Sequence, residues 1–238
     1  MTGQRETVSF SRCCAVVALM LALLLPFPAS RAQNADVDLA LVLAIDCSFS
    51  VDSSEFRLQM EGLGQALMRP EVKKAILAGN RQRIAVAAMQ WSDEGNQKVI
   101  LPWTIITGDA DADEVGSVLR QMPRRLAEGG TSISAALLFA EVLLAQAPAA
   151  ERRVVDVSSD GRNNIGPPVN RVRDRLVARG ITINALAILN EWPTLDIYFD
   201  SQVAGGTGYF VIPANDYQAY GEAIFRKLLK EITGPGIS

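Results

Sequence analysis

Histidine is missing from all 238 residues. That absence excludes Ser-His-Asp and Cys-His catalytic machinery, in which an imidazole must carry the proton. It also argues against a zinc site, because zinc favours His and Cys ligands. Any metal bound here must be held by oxygen, which points to magnesium, calcium or manganese. Cysteine is almost as scarce. Of three, Cys13 and Cys14 lie near the start and only Cys47 stands in the body of the chain. Residues 33–238 therefore cannot close an internal disulfide. Excess positive charge is missing too, since the net charge is −3, and mild acidity argues against a nucleic-acid partner.

Long apolar runs are limited to one, Cys13 to Phe27, "CCAVVALMLALLLPF". It is short for a membrane span, which needs about 20 apolar residues. Arg5 and Arg12 precede it and "PASRAQ" follows it. A positive start, an apolar centre and a small-x-small site make a secretory signal peptide, and Ser30-Arg31-Ala32 places the cut after Ala32. Residues 1–32 are thus expected to be removed, with no stable membrane span afterwards and a periplasmic or secreted destination; an uncleaved anchor is the alternative. Losing Arg5, Arg12, Arg31 and Glu6 takes the net charge from −3 to −5. Residues 33–238 read as a single domain, without internal repeats or low-complexity tracts.

What remains alternates between strand and helix patterns. Val37–Ile45, "VDLALVLAI", is almost continuously apolar, as suits a strand buried on both faces. Asp52-Ser53-Ser54-Glu55 has capping-box spacing, and Phe56, Met60, Leu63 and Leu67 follow at helical intervals. Pro70 ends or restarts that helix. Strands are expected at Arg83–Trp91, at Val99–Ile106 (an edge, given Pro102), at Arg153–Val157, at Ile181–Leu189 and at Tyr209–Ile212. Helices are expected over Asp111–Met122, around Ile133–Leu144, from Pro168 as first helical residue to Gly180, over Leu195–Val203, and along Tyr217, Tyr220, Ile224 and Leu228. This order predicts an α/β fold: a doubly wound, mostly parallel central sheet with helices on both faces.

In such a sheet, loops at the carboxyl ends of the strands carry function. If the first and fourth strands are central, three such loops share one edge. Asp46-Cys47-Ser48-Phe49-Ser50, "DCSFS", has oxygen-bearing side chains at every second position. Gly130-Thr131-Ser132 precedes a buried helix, and Ser158-Ser159-Asp160-Gly161 follows the fourth strand. Each has a plain explanation alone: a helix cap at Asp46 or Ser50 and at Thr131 or Ser132, a turn at Asp160-Gly161. Those explanations do not account for all three occurring together where strand passes to helix.

Taken together, D-x-S-x-S after the first strand, Thr in a Gly-rich second loop, and S-D-G after the fourth strand resemble the von Willebrand factor type A (vWA) domain and its metal-ion-dependent adhesion site. The likeness spans roughly Asp36 to Ile232. "RIAVAAMQWS", "VVDVSSDGRNN" and "ITINALAI" look like a bacterial exported branch of that superfamily. The resemblance implies that Ser48 and Ser50 bind the ion directly, Thr131 directly or through water, and that Asp46 and Asp160 act through water or by holding the hydroxyls. Neutral hydroxyl ligands leave a hard ion such as Mg (or Mn or Ca) electrophilic, so a protein partner presenting an acidic residue can supply a further ligand. The expected function is a metal-dependent, adhesion-type protein-binding module, with no catalysis. A metal-assisted hydrolase or phosphotransferase using Asp46 and a metal-free scaffold are the rivals. A chelatase-type subunit fits poorly with a signal peptide.

Smaller expectations follow. If alternation persists past Asp46, Cys47 and Phe49 both face the core. Asp156, within a buried strand, needs a partner such as an Arg or a backbone amide. Arg171, Arg173, Arg175 and Arg179 read as a solvated helix face. Trp91, Trp103 and Trp192 read as core residues, with a place on the rim of the site as the alternative, since Trp91 and Trp192 sit near expected strand ends.

Overall fold

The computed structural model describes residues 36–234. The expected signal peptide, residues 1–32, lies outside them. Six strands form one sheet: β1 (Val37–Asp46), β2 (Ile84–Trp91), β3 (Gln97–Ile106), β4 (Ala150–Ser159), β5 (Thr182–Ile188) and β6 (Val211–Ala214). Their order is β3-β2-β1-β4-β5-β6. Only the β2–β3 pair is antiparallel. Pro102 therefore sits on an edge strand, where its missing amide leaves no ladder position unfilled.

β1 is buried along its whole length because its two faces serve two cores. Leu39, Leu41, Leu43 and Ile45 pack with one cluster, and Ala40, Val42 and Ala44 with the other. The first cluster is completed by α1 (Ser53–Met68), α2 (Pro70–Leu77), α3 (Asp109–Gln121) and α7 (Tyr220–Thr233). The second is completed by α4 (Ile133–Leu144), α5 (Val169–Ala178) and α6 (Leu195–Tyr198), which runs on into a π-helical turn over Phe199–Val203. The doubly wound α/β architecture is thus as the apolar pattern implied. Among the described residues no helix is long and apolar enough to cross a membrane.

Several boundaries differ from the sequence reading. Pro168 is the residue before α5 rather than its first. β6 runs from Val211 to Ala214, two residues later than expected, because it registers with β5 through Ala185–Val211 and Ile188–Ala214. Tyr217 precedes α7: the Asp216 carboxylate accepts from the Ala219 amide at 2.8 Å, holding a turn before the helix begins.

Asp156 is paired, but with Lys227 rather than Arg, at 2.7 Å. Lys227 also bonds Glu231 at 2.7 Å, which makes a buried cluster linking β4 to α7. The arginines along α5 and at its end are not simply a solvated face, since Arg175 and Arg179 both pair with Glu141 on α4.

Candidate metal centre

β1 and β4 lie side by side and end together, so the loops after Asp46 and Ser159 share the carboxyl edge of the sheet. Asp46 is the last residue of β1 and fully buried. One carboxylate oxygen accepts the Ser48 amide at 2.7 Å. The other accepts the Ser159 hydroxyl from β4. Asp46 therefore folds its own loop back and ties it to the neighbouring strand. The Ser48 and Ser50 hydroxyls stand 3.2 Å apart, and Ser50 donates to Asp160 Oδ1 at 2.6 Å. Asp46, Ser48, Ser50 and Asp160 thus share one hydrogen-bonded group, with Ser159 between the two loops.

The start of α1 makes no demand on these oxygens. Asp52 caps it, accepting from the Ser54 and Glu55 amides at 2.7 and 2.8 Å, while Glu55 returns a bond to the Asp52 amide. Ser132 likewise caps α4, which leaves the Thr131 hydroxyl uncommitted to a cap.

Thr131 is placed by its backbone. Its amide donates to Asn164 Oδ1 and its carbonyl accepts from the Asn164 amide, both at 2.9 Å. This locks the second loop to the third. The first loop joins them through Phe49, whose amide donates to the Gly129 carbonyl at 2.9 Å. Gly161 permits the close approach: a Cβ there would stand 3.2 Å from the Thr131 hydroxyl oxygen. Thr131 therefore lies directly against the residue that follows Asp160.

The electrostatics are unusual for groups so deep. Burial, and then the negative charge of Asp160, push the Asp46 carboxyl up to about 7. Burial raises Asp160 as well, against the lowering effect of the Ser50 hydrogen bond. Asp160 Oδ2 and the Tyr217 hydroxyl are both buried and face each other, at a geometry short of a full hydrogen bond. Among the described residues no ion pair reaches either carboxylate, although Asp156, opposite Leu43 on the neighbouring strand, has Lys227. Among them, too, no three His, Cys, Asp or Glu side chains gather as a metal cage. Two buried acids lacking a cation, beside three hydroxyls, suit a hard divalent ion. The oxygen donor set present here fits such an ion.

A family model described as "Protein of unknown function (DUF1194)" matches residues 36–236. The chain belongs to the DUF1194 family. No curated protein matches its sequence. Its fold has many relatives among solved structures. Proximal thread matrix protein 1 from the mussel byssus is 17% identical with a TM-score of 0.63, over 84% of this chain and 49% of that one. Another structure of that protein is described as having a zinc-occupied MIDAS motif. A von Willebrand factor type A protein from Catenulispora acidiphila is 17% identical (TM-score 0.57), over 82% of this chain and 43% of that one. The vWF domain of the type V pili tip protein Mfa5 from Porphyromonas gingivalis is 11% identical (TM-score 0.56), over 85% and 99%. The DUF1194 chain thus spans about half the length of the mussel protein, and nearly all of the pilus-tip domain. At these identities the likeness establishes the vWA fold.

Other residues of this DUF1194 chain support the loops without belonging to the motif. Arg124 donates to the Cys47 and Ser48 carbonyls at 2.8 and 3.2 Å, and Gln59 reaches the Asp46 carbonyl at 3.4 Å. Neither carried a sequence signal, because each acts through backbone atoms from another element. Ser159 carried a faint one, as the residue before Asp160.

Two expectations about this edge are corrected. Cys47 is buried, but Phe49 is 71% exposed. The strand stops at Asp46, and the Val51 amide turns back to the Ser48 carbonyl at 3.1 Å, so strand alternation no longer applies at Phe49. Trp192 is 48% exposed rather than part of the core, whereas Trp91 is fully buried.

Proposed function

We propose that this protein is an exported, metal-dependent binding module. Residues 1–32 would be a signal peptide cut after Ala32, and residues 33–238 one vWA-type domain. Asp46, Ser48, Ser50, Thr131 and Asp160 would hold a divalent cation such as Mg, Mn or Ca. One observation carries this reading: two buried carboxylates at the sheet edge share a hydroxyl network and, among the described residues, have no cationic partner. When bound, the cation supplies an electrophilic coordination position that an anionic ligand can take. Ser48 and Ser50 present neutral oxygens, so the ion's charge would not be quenched. Asp46 and Ser159 keep the hydroxyl loop in place. The partner would be a protein that offers a carboxylate.

Catalysis by Asp46 is disfavoured because the carboxylate is fully buried and both its oxygens are engaged. A nucleophile must reach its substrate.

The test is a thermal melt of residues 33–238 with Mg, Mn, Ca, Zn or chelator, on wild type and Ser48→Ala. A ligand binding only the folded state at a hundred times its Kd adds about 2.7 kcal/mol, so the wild-type melting point rises and the variant's responds less. A wild-type melt that ignores every cation sinks the metal reading. Partner capture that persists in chelator sinks the carboxylate contact.

A further inference from the structure

The same edge of the sheet carries an apolar rim that the metal reading does not use. Phe49, Ile165 and Trp192 are 71%, 41% and 48% exposed. They belong to the loops after β1, β4 and β5. Each is set on fixed backbone. Phe49 sits between the Ser48 turn and the Gly129 hydrogen bond. The Ile165 carbonyl accepts from Ser132 and Asn163, both at 3.1 Å. Its Cγ2 stands 3.4 Å from where a Cβ on Gly130 would lie, so it adjoins the loop that pins Phe49. Trp192 is held by Arg162, whose guanidinium lies 4.9 Å from the ring centroid and donates to Thr194 at 3.2 Å. Arg162 is two residues beyond Asp160, so this ring borders the third loop. Exposed apolar side chains grouped around a polar site mark a contact surface.

The charge around the rim restricts what can sit there. Glu55 is bonded by Asn190 at 3.2 Å. Glu191 is exposed and directly precedes Trp192. Asp93 Oδ2 and Glu94 Oε1 lie 2.6 and 3.0 Å from where side chains on Gly129 and Gly166 would begin. A polyacidic segment would meet these four carboxylates. A lone acid in apolar, uncharged or basic surroundings would not.

The geometry points to a partner segment with a single carboxylate flanked by a bulky apolar side chain, the acid at the candidate metal centre and the apolar group on Phe49, Ile165 and Trp192. This rests on the metal reading above. Anchors of this kind sit at interface centres, and their truncation typically costs most of the affinity.

Synthetic peptides with one Glu flanked by Phe or Leu, by Gly and Ser, or by further Glu test the inference, with a Gln-for-Glu control. Binding is measured by fluorescence anisotropy in Mg and in chelator, beside the thermal melt. The apolar-flanked peptide should bind wild type tightest and only in Mg. Phe49→Ala and Trp192→Ala, on separate loops, should each weaken it about tenfold or more while keeping the Mg-induced rise in melting point. Equal binding of Gly-flanked or polyacidic peptides, or unchanged binding by both variants, overturns the rim inference and leaves the metal reading standing. Loss of the Mg-induced rise in wild type overturns both.

Discussion

Asp156 and Asp46 lie on adjacent strands and are both buried, but they are answered differently. Asp156 meets the Lys227 ammonium at 2.7 Å, while Asp46 meets a hydroxyl and a backbone amide. Ser159 is therefore the side chain that orients Asp46. Ser159→Ala should keep the fold and weaken divalent-cation binding about 10- to 100-fold, the usual effect of removing an outer hydrogen-bond partner. Isothermal titration calorimetry reads this directly, and unchanged affinity would remove Ser159 from the site. The grouping of the "DCSFS" oxygens was legible because the hydrogen bonds they make need side-chain oxygens at alternate positions. The orientation of Phe49 was not legible, because it depends on where the strand stops, and that is decided by a turn hydrogen bond rather than by alternation.

At the scale of elements, the clearest signals were local ones. The Asp52–Glu55 capping box forms as its spacing implied, and the buried β1 run sits at the centre of the sheet. Contacts between helices were invisible to periodicity. α1 meets α3 through paired glycines: a Cβ on Gly64 would lie 2.4 Å from the Gly116 carbonyl oxygen, and one on Gly116 would lie 2.7 Å from that of Gly64. Backbone cannot yield as a flexible side chain does. Gly64→Ala should therefore destabilise by about 1–3 kcal/mol, the range for overpacked cores, although alanine is the better helix former. Urea denaturation measures the change, and a neutral or stabilising result would show that the helices can part freely. Short terminal elements were placed less well than long ones. β6 has few residues, so its register follows β5, and the start of α7 follows the Asp216 turn.

Across the whole molecule, the Asp156–Lys227–Glu231 cluster couples stability to pH. One ammonium faces two carboxylates, and Asn184 from β5 adds a hydrogen bond to Glu231 at 3.1 Å. Burial, and then the Asp156 charge, push Glu231 from its ordinary 4.5 up to about 8. Between those values the folded chain keeps a proton that the unfolded chain has released. Stability is fully present below the lower value and declines as pH rises through the upper one, by at most about 1.4 kcal/mol per pH unit. Asp46, raised to about 7, acts in the same direction. The test is therefore the difference between wild type and Glu231→Gln. The variant's melting point should fall less between pH 5 and pH 8, values taken to span the window. Parallel curves would mean that Glu231 is ionised in the fold. The placement of the three motif loops at one sheet edge was foreseeable from the order of strands and helices. This cluster was not, because its partners are far apart in sequence and Lys227 looks like an ordinary surface residue on an amphipathic helix.

Cys47, buried beneath the first loop, offers an experimental opportunity. Burial pushes its thiol up to about 12, so at neutral pH it is protonated and sealed from reagents. Among the described residues it is the sole cysteine. In residues 33–238, a thiol introduced beside the rim, for instance at Glu191, would then take a fluorophore alone, so Cys47 need not be removed before occupancy of this edge is followed by light.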